Sequence, residues 1–153
     1  MGKSAGKLWT IGYERVGPAD FVAALQAAKI KTLIDVREVA NSRRAGFSKK
    51  ALMASLSEAG IAYIHMKPLG TPKAGREAAR KGDTKTMRRI YEAKLAEPES
   101  QMALAETAEL AAKGRACIMC LEHDWQDCHR AIVAAHLLAD FGLKPTHLSP
   151  EAH

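Results

Sequence analysis

The chain has 153 residues, 47% of them hydrophobic and 26% charged, with a formal net charge of +6. This size and composition fit one folded domain over residues 1–153 and exclude a disordered chain. No apolar run approaches the roughly 20 residues of a membrane helix, and no signal-like segment opens the chain. We therefore expect a cytoplasmic protein without membrane contact. The positive net charge indicates an anionic partner, either a small molecule or a nucleic acid, or else a generally basic surface. The oligomeric state is not predicted.

Strand and helix patterns alternate along the chain. A strand at residues 7–12 is followed by a helix at 18–29, a buried β-branched strand at 32–36, a helix between Ser48 and Gly60, and a strand at 61–65. Residues 68–83 are predicted to form a long basic loop with one helical stretch around 74–81. Helices at 84–95 and 101–113, a strand at 115–121, a helix at 131–141 and an edge strand at 144–148 complete the pattern.

This alternation predicts an α/β fold, a single domain with a mainly parallel sheet flanked by helices on both faces. Ligands of such folds bind outside the carboxyl ends of the strands. Tyr13 follows the first strand, Asp35 and Arg37 end the second, His65 ends the third and Cys120 ends the fourth. A pocket is therefore predicted at this edge.

Asp35 and Arg37 lie two residues apart on one strand, so their side chains point to the same face. They predict either a structural ion pair or an arginine held in place to bind an anion. Ser42 and Arg43 follow this strand end closely. We assign them a ligand-binding role together with Tyr13, Asp35 and Arg37, because paired arginine donors bind phosphate or carboxylate oxygens.

The densest chemistry lies in residues 120–130, CLEHDWQDCHR, which join a strand to a helix. Asp127 is predicted to cap that helix, which would place Cys128, His129 and Arg130 in its first turn. A thiol at that position lies at the positive end of the helix dipole, which favours the thiolate. The catalytic candidates are Glu122, Cys120 and Cys128, and the ligand-binding candidates of this segment are His129 and Arg130.

The three cysteines, Cys117, Cys120 and Cys128, are odd in number and clustered late in the chain. This distribution argues against a disulfide framework, so we expect reduced thiols. With His129 they also resemble a zinc ligand set. We reject zinc because Cys117 and Cys120 are three positions apart on one strand and therefore face opposite sides of the sheet. No metal and no cofactor are expected.

The motifs together resemble the family called domain of unknown function 488. The matching stretches are Thr10-Ile11-Gly12-Tyr13, Asp35-Val36-Arg37, Ser42-Arg43-Arg44 with Phe47-Ser48, Leu69-Gly70, Cys120-Leu121-Glu122 and Cys128-His129-Arg130. Two positions depart from the pattern, since many relatives have histidine in place of Tyr13 and glycine in place of Thr71. The resemblance supports the fold and the site and implies no particular reaction.

Three hypotheses remain open from the sequence. The first is an enzyme acting on a phosphate-bearing or nucleic-acid-derived substrate, in which Arg37, Arg43 and Arg130 hold the anion and Glu122 is the general acid or base. The second is a non-catalytic module that binds a nucleotide or nucleic acid through the same arginines. The third is a purely structural network of Cys120, Glu122 and Arg130, which a sealed ion pair between Glu122 and Arg130 would favour.

Overall fold

The computed structural model describes residues 6–40, 42, 44–120 and 129–149. Within these ranges, strands β1–β5 are Lys7–Gly12, Thr32–Asp35, Ala62–His65, Ala116–Cys120 and Lys144–Leu148. Helices α1–α6 are Pro18–Ala27, Lys49–Glu58, Lys73–Arg80, Thr84–Leu95, Pro98–Lys113 and His129–Phe141, and a 3-10 turn spans Lys67–Leu69. The strand and helix alternation expected from the sequence is confirmed.

The five strands form one parallel sheet in the order β3-β2-β4-β1-β5. In its register, Gly12 at the end of β1 lies beside Cys120 at the end of β4. Asp35 at the end of β2 lies beside His65 of β3 on one side and Met119 of β4 on the other. The carboxyl ends of the first four strands therefore meet at one edge, as the predicted α/β fold requires.

Helices cover both faces of the sheet. Alternate strand residues point to opposite faces, so each strand contributes side chains to both cores. Trp9, Leu33 and Cys117 belong to the core under α1 and α2. Leu8, Ile34, Ile118 and Cys120 belong to the core under the remaining helices. The odd spacing of Cys117 and Cys120 thus separates them onto two faces, as predicted.

Residues 68–83 contain more regular structure than the predicted loop. After the 3-10 turn, α3 forms over Lys73–Arg80, and Gly82 then takes a positive φ of 78° before α4 begins. Its apolar positions, Gly75 and Ala78, are buried although the segment is basic. The predicted helical stretch is present. The low apolar content of the segment led to the prediction of a loop, whereas part of the segment packs against the core. In the described part of the chain, no helix is long and apolar enough to span a membrane.

Candidate functional site

The end of β2 carries a buried ion pair between Asp35 and Arg37. Arg37 Nη2 lies 2.7 Å from Asp35 Oδ2, and Arg37 Nε lies 2.9 and 3.1 Å from the two carboxylate oxygens. The Arg37 backbone N–H also donates to Asp35 Oδ1 at 3.0 Å. The same-face spacing of these residues on an extended chain produces this contact. Asp35 is fully buried, and Arg37 is 7% exposed.

Neighbouring side chains extend this pair into the aspartate–arginine cluster, which consists of Tyr13, Asp35, Arg37, Phe47 and Tyr63. Arg37 Nη1 donates to the Tyr13 hydroxyl at 3.2 Å and to the Phe47 carbonyl at 2.8 Å. Tyr13 stacks on Phe47 with ring centroids 4.5 Å apart. Tyr63 donates its hydroxyl to Asp35 at 2.5 Å. The cluster lies on the α1 and α2 side of the sheet.

Electrostatics fix the protonation states of Arg37 and Tyr63 in this cluster. Burial opposes the charged form of Arg37, but the hydrogen bonds and charge of Asp35 outweigh it and raise the pKa of the guanidinium. Burial, the hydrogen bond to Asp35 and its charge raise the pKa of Tyr63. Four of the five N–H donors of a guanidinium are used here, which leaves one for a ligand. Arg37 therefore forms the structural ion pair, and its role as an anion ligand stays a prediction.

A second group of polar side chains lies on the α6 side of the sheet and is called the Arg130 cluster: Thr10, Arg130 and His147. Arg130 is fully buried in the first turn of α6 and donates from Nη1 to Thr10 Oγ1 at 3.2 Å. Thr10 Oγ1 is 2.5 Å from His147 Nδ1. Burial and the charge of Arg130 lower the pKa of His147. His147 is therefore neutral at pH 7, and the positive charge of the cluster resides on Arg130.

Two histidines hold the backbone that leaves β2. His129 Nε2 donates to the Val36 carbonyl at 2.9 Å, and His65 Nε2 donates to the Arg37 carbonyl at 2.7 Å. Burial lowers the pKa of His129 to about 4, against the opposing effect of its bond to Val36. His129 is thus neutral at pH 7, with its proton assigned to Nε2 and Nδ1 as an acceptor. The first turn of α6 is in this way fastened to the end of β2.

The described cysteines differ in state. Cys117 is a free, fully buried thiol, and burial raises its pKa. Cys120 is also fully buried, but its sulfur is disulfide-bonded. The expectation of reduced cysteines in the cell stays a prediction. Among the described residues, no group of three or more histidine, cysteine, aspartate or glutamate side chains could hold a metal.

The site residues of β2, β3, β4 and α6 all fall within the part of the chain that matches a known family. The family model of domain of unknown function DUF488 matches residues 18–137. The chain belongs to the DUF488 family. No curated protein and no solved structure matches it. The DUF488 match begins after β1 and ends in α6, so Asp35, Arg37 and Arg130 lie inside it, whereas Thr10, Tyr13 and His147 do not.

The site residues predicted for this DUF488 protein do not form one group. Tyr13, Asp35 and Arg37 come together in the aspartate–arginine cluster, while Cys120 and Arg130 lie across the sheet from it. Ser42 is partly buried, and its hydroxyl accepts the backbone N–H of Arg44 at 3.1 Å. The candidates outside the described residues are Arg43, Glu122 and Cys128, together with the expected helix cap Asp127.

Sequence reasoning missed Thr10, Tyr63 and His147. Thr10 and His147 meet only because β5 pairs with β1, a contact across 137 positions that no local pattern predicts. Tyr63 could have been found, because it lies two positions before the predicted strand-end residue His65 and its polar hydroxyl faces the same edge. Sequence spacing therefore indicated the carboxyl edge of the sheet but not the hydrogen-bond partners of the residues there.

Proposed function

We propose that this DUF488 protein is an enzyme that acts on a phosphate-bearing substrate at the carboxyl edge of its sheet. The observation that carries the proposal is the position of Arg130, a permanent cation buried in the first turn of α6. The N-terminal turn of a helix carries a positive potential that favours anions. The pKa values of both neighbouring imidazoles, His129 and His147, are lowered, so these rings add little positive charge beside Arg130 at pH 7.

The cost of these buried charges supports a functional role. Two arginines, Arg37 and Arg130, are almost or fully excluded from solvent at the same edge. Burying a guanidinium costs several kcal/mol, and apolar side chains of similar size often stabilise a fold as well or better. Such costs concentrate at functional sites, where charge is needed for binding or catalysis.

The proposed roles follow the division between the two clusters. Arg130 binds the anion, and the aspartate–arginine cluster holds the end of β2 in position. Glu122, next to the end of β4 in sequence, is the proposed general acid or base. Cysteine chemistry requires the disulfide of Cys120 to be reduced first, so the reaction is assigned to Glu122 rather than to a thiolate.

The test is a thermal-shift screen of nucleotides, sugar phosphates and inorganic phosphate, followed by product analysis by mass spectrometry. A ligand at 100 times its dissociation constant adds about 2.7 kcal/mol, which corresponds to a rise in Tm of roughly 5–11 °C for a domain of this size. The hit should be turned over by the wild type, whereas Glu122→Gln should bind it without turnover. Binding without turnover by the wild type would identify a binding module instead of an enzyme.

One observation favours the structural alternative, namely that Arg130 is fully buried and ties α6 to β1 through Thr10. The two roles are distinguished by Arg130→Lys, which keeps the charge but not the planar donor geometry. If Arg130 binds the anion, this variant should lose most of the ligand-induced rise in Tm. If no phosphate compound shifts the Tm of the wild type, the structural role stands and the proposed function is rejected.

A further inference from the structure

A strongly basic surface lies in one helical hairpin, residues 73–89, here called the basic hairpin. It contains seven basic and two acidic residues, a net charge of +5 compared with +6 for the whole chain. Six of the basic side chains are exposed: Lys73, Arg80, Lys81, Lys85, Arg88 and Arg89. None of these six takes part in the ion pairs found among the described residues. The hairpin therefore presents a cationic surface that the described part of the chain does not neutralise.

The basic hairpin and the remainder of α4 contact the candidate site at two points. Arg76 Nη1 donates to Glu38 at 2.6 Å and to the Thr71 carbonyl at 3.2 Å, and Glu38 directly follows Arg37. On α4, Tyr91 contacts the ring of His129 edge to face, with centroids 5.1 Å apart. The cationic surface thus adjoins both the end of β2 and the start of α6.

An open groove of about 270 Å³ continues from the hairpin along α6. Arg88 and Glu92 line it on α4, and Ala131, next to Arg130, lines it on α6. A chain of phosphates seated on α4 would therefore lie alongside the helix whose first turn carries the buried guanidinium.

We infer that the basic hairpin binds the phosphodiester backbone of a nucleic acid and directs one strand to the carboxyl edge of the sheet. Helix α4 has 12 residues and is about 18 Å long at 1.5 Å per residue, which matches the axial length of roughly five nucleotides of one duplex strand at about 3.4 Å each. Arginine and lysine side chains bind such phosphates without reading sequence. This inference deepens the proposed function and rests on it for the destination of the strand.

The chemistry of the hairpin favours nucleic acid over an anionic membrane. Helices that lie in a bilayer surface combine basic residues with an exposed apolar face. The large exposed hydrophobic side chains of the described chain are Val39, Met53, Met102, Leu138 and Phe141, all outside the hairpin. On α4, Met87, Tyr91 and Leu95 are buried. A cationic surface without large exposed apolar side chains suits a phosphodiester backbone.

The experiment is fluorescence anisotropy with a labelled 24-nucleotide single strand, as DNA and as RNA, and the matching duplex, between 50 and 200 mM salt. With four phosphate contacts to a single strand, the association constant should fall roughly 50-fold over this range. Lys85→Ala/Arg88→Ala removes two contacts, so binding at 100 mM salt should weaken roughly 25-fold and the log–log salt slope should become shallower by about 1.4.

The matched control is Lys49→Ala/Lys50→Ala, which removes the same charge from exposed positions on α2, across the sheet. It should change affinity less than twofold. Equal losses in both double variants would show a general charge effect and overturn the inference, as would absence of binding at 50 mM salt. A second hairpin variant, Arg80→Ala/Lys81→Ala, should reproduce the loss, and circular dichroism verifies that each variant is folded.

Two further arms separate this inference from its rivals. Binding to vesicles containing 30% phosphatidylserine, but not to the oligonucleotides, would assign the hairpin to a membrane and reject the inference. If the oligonucleotides do not bind but a mononucleotide still raises the Tm of the protein, nucleic-acid binding by the basic hairpin is rejected. The proposed enzymatic function is not affected by that result.

Discussion

The Asp35–Arg37 ion pair allows a sharp test of how the end of β2 is held. In Arg37→Met, Asp35 would lose the donors on Nε and Nη2, and the Phe47 carbonyl would lose Nη1. Asp35 would keep the Arg37 backbone N–H and the Tyr63 hydroxyl. Removing one partner of a buried pair costs about 3–5 kcal/mol. Because two donors remain, we expect a loss near the lower end, about 3 kcal/mol of unfolding free energy.

The assay is urea denaturation of the ligand-free protein, supported by thermal melting. A loss of about 3 kcal/mol corresponds to a fall in Tm of roughly 6–12 °C for a domain of this size. The matched control is Arg76→Met, because Arg76 also pairs with a carboxylate at this edge but is 37% exposed. An exposed pair contributes about 1 kcal/mol or less. The double variant Asp35→Asn/Arg37→Met removes the uncompensated charge and should recover part of the loss.

Two outcomes would refute this reasoning. If Arg37→Met destabilises the protein no more than Arg76→Met, the buried pair does not hold the end of β2. If Arg37→Met is more stable than the wild type without ligand, Arg37 is a strained anion-binding residue rather than a structural one.

Two further predictions concern packing. Gly70→Ala should destabilise the protein by about 1–3 kcal/mol, because an added Cβ would lie 2.2 Å from the Glu38 backbone nitrogen, whereas Gly17→Ala should change stability far less since nothing lies within 4 Å of its Cβ. Both are measured by urea denaturation, and equal effects would contradict the close approach. Cys117 should resist iodoacetamide at pH 8 in the folded protein, because burial raises the pKa of its thiol; rapid labelling read by mass spectrometry would refute its burial.

Local patterns were sufficient to predict the layers of this fold. Strand-length apolar runs and helical spacings placed the strands within one or two residues, and parallel pairing follows from their separation by helices. Helix α4 was predicted with its observed bounds, Thr84–Leu95. Helix α5 begins at Pro98 rather than three residues later, because proline suits the first helical position and does not end the preceding pattern there.

The candidate site was predicted less completely, for physical reasons. The pairing of Asp35 with Arg37 follows from a spacing of two on one strand, so the sequence contained it. The prediction did not divide the site residues between the two faces of the sheet. It assigned each strand end to the carboxyl edge without stating which face its side chain points to. Thr10 and Arg130 meet only through packing of α6 on β1, 120 positions apart, and such contacts leave no periodic signal.

The last prediction concerns pH and His129. Its folded pKa is about 4, below the ordinary value of 6.5, so the unfolded chain binds a proton more readily than the folded protein between these values. The stability that neutral His129 contributes is therefore complete above pH 6.5 and is lost as the pH falls towards 4. Between pH 7.5 and 4.5, this linkage removes up to about 2.5 kcal/mol of unfolding free energy.

His129→Gln isolates this contribution, because glutamine can donate to the Val36 carbonyl and does not titrate. Urea denaturation of both proteins at pH 7.5 and 4.5 should show the wild type losing up to about 2.5 kcal/mol more than the variant. Groups that titrate elsewhere in the chain cancel in this comparison. Equal losses in the two proteins would show that His129 is solvated enough to be protonated in place. The hydrogen bond that its Nε2 donates to the Val36 carbonyl would then be compatible with a charged ring.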